Sequence, residues 1–405
     1  MQTLLSAEFA EDPQGIEAER ILRKCVHCGF CNATCPTYQL IGDELDGPRG
    51  RIYQMKLVLE GAIPTKKMQQ HLDRCLTCRS CESTCPSGVQ YGKLLEIGRE
   101  IVDERVPRRT KDKLLRKLLT VIVPNGEIFS LLLKVGQLFR SILPISVREK
   151  IPFERGQGAV AFQGTDHPRK MVMLAGCAQP ALAPNTNVIA KKLLDKMGIT
   201  LAEVSEAGCC GAVYLHTSEP KNGRQAARKL IDAWHPYLQQ GVEAFVMTAS
   251  GCGSTIKEYA HLLKDDPAYF KKAMVISEKT FDLCEIVEKE MVAGYKVASL
   301  GQAKRVAFHP PCTLQHGQKI SGKIESILRS SGYELTVVKD PHLCCGSAGT
   351  YSLLQPEIAS KLRKNKQSAL IESNPHVICT ANVGCQSWLQ TGSNLSVVYW
   401  AELLV

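Results

Sequence analysis

The sequence lacks the apolar run of about 20 residues that a transmembrane helix needs. Its longest charge-free apolar stretches, 118–126 and 128–133, are far shorter. The opening MQTLLSAEFAEDPQG has neither the basic nor the apolar segment of a secretory signal. No glycine-rich dinucleotide fingerprint is present, because the GQG at 156–158 and the GCG at 251–253 lack the remaining spacing. We therefore expect a cytoplasmic protein with no nucleotide-cofactor site of its own.

Cysteine, by contrast, is abundant, at 18 of 405 residues. In a reducing compartment these thiols stay free to bind metal instead of forming disulfides. The formal charge of +10 is concentrated in 105–155, where twelve basic residues face four acidic ones. The rest of the chain is nearly neutral, so the composition does not favour nucleic acid as a partner.

Two cysteine quartets match C-x₂-C-x₂-C-x₃-C-P without a mismatch: Cys25, Cys28, Cys31 and Cys35, then Cys75, Cys78, Cys81 and Cys85. In this motif three cysteines hold one 4Fe–4S cluster, and the fourth, before proline, reaches the other cluster. The expected ligation is crossed: Cys25, Cys28, Cys31 and Cys85 for cluster 1, and Cys75, Cys78, Cys81 and Cys35 for cluster 2. Structural zinc also uses four cysteines and is the alternative. Helix-forming residues fill the gap between the quartets, which favours an α-helical ferredoxin arrangement.

The region after residue 170 repeats itself. Cys177 precedes the pair Cys209–Cys210 by 32 positions, Cys312 precedes Cys344–Cys345 by the same 32, and Cys252 and Cys385 close the two repeats. In each repeat β-rich runs alternate with helix-like segments, such as 188–197 and 319–330, which predicts α/β units with mostly parallel sheets. The cysteines fall on the loops after strands, where such folds place ligands.

Each repeat offers four thiols, enough for one further iron–sulfur cluster or one zinc. The candidate ligands are Cys177, Cys209, Cys210 and Cys252 in the first repeat, and Cys312, Cys344, Cys345 and Cys385 in the second, with Cys379 nearby. An empty structural site is the alternative. Cys284 is expected in the core. We assign no catalytic residue; His309, His316 and His342 are expected to be structural residues or cluster neighbours.

The segments EAGCCGAV, TASGCG and HLCCGSAGTY resemble the cysteine-rich CCG domain shared by heterodisulfide reductase and several respiratory dehydrogenase subunits. In that family the last element is normally C-x₂-C. Ala249 and Asn382 stand where the first of those cysteines would be, which argues against the unusual larger cluster of the heterodisulfide reductases.

Taken with CVHCGFCNATCPTYQLIGDELDGPRGRIYQMK and HLDRCLTCRSCESTCPSGVQYGKLLEIGR, nearly the whole chain resembles the iron–sulfur subunits of bacterial glycolate oxidase. The resemblance implies an electron-transfer subunit, inactive alone. Its FAD-binding partner subunits would oxidise glycolate to glyoxylate, and it would pass the electrons to a quinone or another acceptor. An iron–sulfur subunit of a lactate or glycerol-3-phosphate dehydrogenase is an alternative, and a zinc-stabilised binding or scaffold protein is a remote one.

We therefore expect an α+β multidomain fold. An α-helical ferredoxin-like domain with both quartets spans 1–104, a basic amphipathic linker spans 105–168, and two α/β CCG repeats span 169–296 and 297–405. The linker mixes basic residues with apolar residues at helical intervals. It fits either packing with a solvated basic face or peripheral contact with the inner face of the cytoplasmic membrane.

Overall fold

The structure is a computed structural model that describes residues 1–142, 151, 160–296 and 304–405. Parts of the predicted linker and the predicted start of the second repeat at 297 lie outside these residues. The described chain divides into two compact units. The first comprises Met1–Arg116 and His342–Lys366, and the second comprises Lys117–Pro341 and Gln367–Val405.

Helices dominate the described part of the chain. In chain order they are α1 (Ala7–Ala10), α2 (Pro13–Arg23), α3 (Phe30–Ala33), α4 (Pro36–Ile41), α5 (Pro48–Leu59), α6 (Lys66–Asp73), α7 (Ser80–Thr84), α8 (Tyr91–Arg105), α9 (Thr110–Ile122), α10 (Gly126–Leu138), α11 (Gln179–Leu182), α12 (Asn185–Lys196), α13 (Ala212–His216), α14 (Pro220–Gln239), α15 (Ser250–Ile256), α16 (Tyr259–Leu262), α17 (Phe270–Glu278), α18 (Leu283–Val292), α19 (Lys323–Ser330), α20 (Tyr351–Leu354), α21 (Pro356–Ile371) and α22 (Val383–Gln390).

The strands form two four-stranded parallel sheets with the orders β2-β1-β3-β4 and β6-β5-β7-β8. They are β1 (Arg169–Leu174), β2 (Ile199–Val204), β3 (Phe245–Met247), β4 (Thr280–Asp282), β5 (Arg305–His309), β6 (Glu334–Leu335), β7 (Val377–Thr380) and β8 (Val397–Tyr399). The equivalent strand orders confirm the predicted fold class of tandem α/β repeats. Parallel strands present their carboxyl ends at one edge, and the repeated cysteines follow those ends.

The first unit is a helical domain built around one apolar core. Helix α2 begins with proline at its first position, and the Asp12 side chain caps it by accepting a hydrogen bond from the Gly15 amide at 2.7 Å. Buried Ile21, Leu94 and Leu95 belong to the core of this unit. The predicted helical connection between the quartets is α5 and α6. The cysteine loops pack against this core, since buried Cys25, Cys75 and Cys81 belong to it.

The second unit contains both sheets. One continuous core joins them, because Met171 and Leu193 of the first repeat belong to the same buried cluster as Val306 and Trp400 of the second. Cys284, predicted to be a core residue, is fully buried there. The repeats therefore share a hydrophobic interior.

Candidate iron–sulfur sites

The first cysteine cavity is lined by Cys25, Cys28, Cys31 and Cys85. Cys25 follows α2, Cys31 lies in α3, and Cys85 ends α7. Burial, together with the neighbouring thiol of Cys25, raises the pKa of Cys31 to about 11. Cys28 is exposed, so this cavity opens to solvent on one side.

The second cavity is lined by Cys35, Cys75, Cys78 and Cys81. Cys35, Cys75 and Cys81 are buried and Cys78 is partly exposed. Burial raises the pKa of the Cys81 thiol well above its ordinary value. Each cavity thus contains the four cysteines that the motif spacing assigns to one cluster, and Cys81 lines the first cavity as well.

The two cavities are adjacent, because Cys81 and Tyr91 line both of them. The Tyr91 hydroxyl donates to Cys75 Sγ at 3.7 Å. Four thiols around one cavity are the donor set of a 4Fe–4S cluster, and two such sites side by side suit one-electron transfer. The residues present fit the cofactor, although ligation itself stays a prediction.

Left-handed backbone turns shape both cysteine loops. His27 and Gly29 in the first loop, and Thr77 and Arg79 in the second, all have positive φ. These turns direct amide groups inward, and the Thr77 amide donates to Cys75 Sγ at 3.4 Å. Amide hydrogen bonds of this kind stabilise thiolate ligands.

A buried ionic network lies behind the second cavity. Arg51 lines this cavity, is fully buried and forms an ion pair with Asp46, which Arg74 also contacts at 2.7 Å. The glycine and proline residues of GDELDGPRGR (42–51) are typical of a turn, and this local pattern does not show that Arg51 is buried.

The first CCG repeat places its four predicted thiols in one group after β1, β2 and β3. The thiols are neighbours in the order Cys177, Cys209, Cys210 and Cys252, and each raises or lowers the pKa of a neighbour. The bond from Cys177 lowers the Cys209 pKa, but Cys210 and burial raise it to about 12 overall. The Gly211 amide adds a donor to Cys209 Sγ at 3.4 Å. This donor set suits a metal ion or a cluster.

The thiols of the second repeat are all buried. Cys344 and Cys345 fall in the first unit, and Cys312 and Cys385 fall in the second. Asn382 precedes α22 and its amide donates to Cys385 Sγ at 3.8 Å. Ligation by these four cysteines remains a prediction. His309 and His316 are buried, as expected of structural residues, and His342 is half-buried.

Helices α9 and α10 present an unusual apolar surface. Among the described residues no single helix is long and apolar enough to cross a bilayer, whereas α9 and α10, bent by 113°, meet the length and composition criteria as a pair. Their exposed apolar residues include Leu114, Leu118, Val121, Leu131, Leu132, Val135 and Leu138.

Comparison with known proteins agrees with this architecture. Residues 21–89 match the 4Fe–4S dicluster domain, and residues 171–257 and 306–390 match the cysteine-rich domain. A solved structure of a hypothetical protein from Helicobacter pylori has a TM-score of 0.57 at 10% identity, covering 98% of this chain and 72% of that chain. That likeness concerns the fold alone. The chain is thus an iron–sulfur protein that joins a dicluster domain to two cysteine-rich domains.

Full-length relatives define the family. The glycolate oxidase iron–sulfur subunit of Escherichia coli is 50% identical over 100% of this chain and 98% of its own length. The probable glycolate oxidase iron–sulfur subunit of Bacillus subtilis is 30% identical over 95% and 93%. Lactate utilization protein A of Bacillus licheniformis is 24% identical over 53% of this chain and 88% of its own length. The chain belongs to the family of glycolate oxidase iron–sulfur subunits.

Proposed function

We propose that this protein is the electron-transfer subunit of a flavin-dependent glycolate dehydrogenase, with two 4Fe–4S clusters ligated in the crossed arrangement. The observation that carries the proposal is the pair of adjacent four-thiol cavities that share Cys81 and Tyr91. When bound, the clusters supply one-electron carriers. The chain's own residues hold the thiols in place, bury three of the four thiols of the second site and supply hydrogen bonds to cysteine sulfurs.

The oxidation of glycolate to glyoxylate belongs to FAD-binding partner subunits. This division of labour rests on the similarity to relatives that are named iron–sulfur subunits of glycolate oxidase. It also rests on the lack of a dinucleotide fingerprint in this sequence. We expect the subunit to be inactive without these partners.

The first CCG repeat is the favoured place for one further metal centre, either an iron–sulfur cluster or zinc. Its support is the continuous group of Cys177, Cys209, Cys210 and Cys252 thiols. An iron content equal to that of two four-iron clusters, together with an absence of zinc, would overturn this assignment and leave the two-cluster function intact.

Peripheral attachment to the inner face of the cytoplasmic membrane would bring a quinone-type acceptor close to the second unit. The exposed apolar residues of α9 and α10 support this attachment. The start of α10 lies against the first cysteine loop of the CCG repeat, since a Cβ on Gly126 would be 3.0 Å from the Cys177 carbonyl oxygen. An open polar cleft beside that loop is lined by Cys177, Tyr214 and Lys229 and offers a place for the acceptor.

The ion pairs determine which basic residues suit a membrane test. Arg108 and Arg116 are engaged with Asp73 and Asp112, so their replacement would disturb folding. Exposed basic residues at and within α9 include Arg109, Lys111, Lys113 and Lys117. Replacing these four with glutamine is expected to lower the fraction bound to anionic vesicles, because each basic residue near the surface contributes about 1 kcal/mol. An unchanged bound fraction contradicts membrane attachment.

The test of the main function is anaerobic purification of the complex, followed by iron analysis, electron paramagnetic resonance and turnover assays. We expect two 4Fe–4S signals, with turnover of glycolate exceeding that of lactate and glycerol-3-phosphate. Lactate is the substrate to compare because the more distant relative is named a lactate utilization protein. A colourless, iron-free protein overturns the electron-transfer function in favour of a zinc-stabilised scaffold, and preference for another substrate overturns the glycolate assignment.

A further inference from the structure

Arg51 is the fully buried cation that lines the second cysteine cavity. Its Nε donates to the His71 carbonyl oxygen at 2.7 Å, and its two terminal nitrogens contact Thr37 Oγ1 at 3.2 Å and Asp46 Oδ1 at 3.4 Å. Each nitrogen of the guanidinium thus has a partner, which fixes the charge at this position.

Thr37 connects this cation to a predicted cluster ligand. Its hydroxyl accepts from Arg51, donates to the Asp46 carbonyl oxygen at 2.9 Å and lies 3.2 Å from Cys35 Sγ. A ligating thiolate has no proton to donate, so Cys35 and the Asp46 carbonyl oxygen would share the one hydroxyl proton. Arg51 polarises that hydroxyl and strengthens the donation.

The surroundings of the second site carry excess positive charge. Asp46 is the shared carboxylate of Arg51 and Arg74. Arg99 adds a third guanidinium, which donates to the Cys75 carbonyl oxygen at 2.8 Å and to Thr77 Oγ1 at 3.1 Å. Arg79 also lines this cavity but is paired with Glu82 at 2.9 Å. Among these residues four guanidinium groups thus face two carboxylates.

The first site differs in this respect. Arg49 lines its cavity, but this side chain is 37% exposed and is paired with Glu44 at 2.7 Å. Solvent screens that pair, and its two charges cancel. The local charge therefore distinguishes two sites whose thiol ligands are otherwise alike.

We propose that Arg51 and its neighbours hold the reduction potential of the second-motif site above that of the first, so that electrons run from the first site to the second. This inference rests on the proposed two-cluster function. In the step, one electron leaves the first-motif cluster, which is oxidised, and enters the second-motif cluster, which is reduced. No bond or proton is exchanged.

Burial acts in the opposite direction and has to be outweighed. Removing a negatively charged cluster from water disfavours the added electron, and the second site is the more buried one. A guanidinium lining the same cavity acts through a low dielectric with little screening, so its attraction is at its largest there. The fixed charges therefore set the order of potentials.

The experiment is a redox titration of the anaerobically purified complex, followed by electron paramagnetic resonance, for wild type, Arg51→Met and Arg51→Lys. Cys28→Ser identifies the signal of the first site, because its serine ligand alters that signal alone. We expect the second site to have the higher potential in the wild type. Arg51→Met is expected to lower the equilibrium constant for electron transfer to this site at least tenfold, about 59 mV, and Arg51→Lys by much less.

A lower potential at the second site in the wild type, or equal shifts of both sites in Arg51→Met at full iron content, would overturn the inference. If Arg51→Met loses its iron, Thr37→Val decides, since it removes the hydroxyl through which Arg51 reaches Cys35, together with the bond of that hydroxyl to the Asp46 carbonyl oxygen. A fall in the potential of the second site alone supports the inference, and an unchanged potential contradicts it. If the iron content of the wild-type protein is too low for two 4Fe–4S clusters, the proposed function is overturned as well.

Discussion

Replacing Arg108 by methionine tests the ion-pair cluster that joins α6, α8 and α9. Arg108 donates to Asp73 at 2.7 and 3.0 Å, to Asp103 at 2.6 Å and to Asp112 at 3.0 Å, and its side chain is 11% exposed. Methionine keeps most of the apolar contact and removes the charge. Asp73 and Asp103 are then left facing each other with less compensation.

The size of the effect follows from burial. Removing one partner of a buried ion pair costs about 3–5 kcal/mol. Arg116 still contacts Asp73 at 3.2 Å and Asp112 is 36% exposed, so the lower end applies. We expect a loss of about 3 kcal/mol at pH 7, equivalent to roughly 6–10 °C in melting temperature for a unit of this size. Arg109→Met is the matched control, because Arg109 is exposed, and should change stability little.

The pH dependence gives a second, independent check. Burial raises the Asp73 pKa, but the hydrogen bond from Arg108 and the charges of Arg116 and Arg108 outweigh it, so the folded pKa lies below its ordinary value. The resulting stabilisation is present above the unfolded pKa of about 4 and is lost as the pH falls through the folded pKa. The deficit of Arg108→Met should therefore be full at pH 7 and shrink below about pH 4.

The assay is anaerobic thermal unfolding followed by circular dichroism and by the visible absorbance of the clusters, from pH 7 to pH 3.5. A deficit below about 1 kcal/mol, or equal to that of Arg109→Met, would refute the reasoning. So would a deficit that stays constant over the whole pH range, because it would show that the loss comes from packing and not from charge.

Three further predictions concern other residues. Cys35→Ser should weaken the electron paramagnetic resonance signal of the cluster held mainly by the second motif, and Cys85→Ser the signal of the cluster held mainly by the first. If each variant instead weakened the signal of the cluster held by its own motif, crossed ligation would be contradicted. Gly50→Ala should destabilise the first unit by about 1–3 kcal/mol in thermal unfolding, because the added Cβ would lie 2.1 Å from the Glu44 carbonyl oxygen. Gly251→Ala is the control, because its Cβ would have no neighbour nearer than 3.8 Å. Burial raises the pKa of Asp282 to about 6. The buried carboxylate therefore destabilises the folded state above pH 6, and this destabilisation disappears as the pH falls toward 4. Asp282→Asn should raise the free energy of unfolding by up to about 2 kcal/mol at pH 8, and denaturant titration should show that its stability depends less on pH.

The sequence predicted the features that depend on local spacing. The quartets predicted which cysteines line the two cavities, because the motif fixes how a short loop presents its thiols. The alternation of apolar runs with helical segments predicted the tandem α/β fold, because this pattern is also local in the sequence. The predicted helices at 188–197 and 319–330 correspond to Asn185–Lys196 and Lys323–Ser330, with boundaries displaced by a few residues.

Charge pairing was harder to predict, because it depends on distant parts of the chain. Arg108 and Arg116 belong to a basic segment whose composition suggests a solvated or membrane-facing surface, yet both are held by Asp73, which is far away in sequence. Arg51 likewise stands in a stretch that resembles an ordinary turn. Only the folded chain shows that these three arginines are internal.

The shared core of the two CCG repeats has a consequence for their evolution. A duplicated segment can usually diverge, be lost or be transferred alone when each copy folds independently. Here Leu193 of one repeat and Trp400 of the other lie in one buried cluster, so deleting either repeat would expose the apolar surface of the other to water. After duplication the two copies became a single inherited module, in which one copy could lose its metal chemistry and still be retained for the surface it covers.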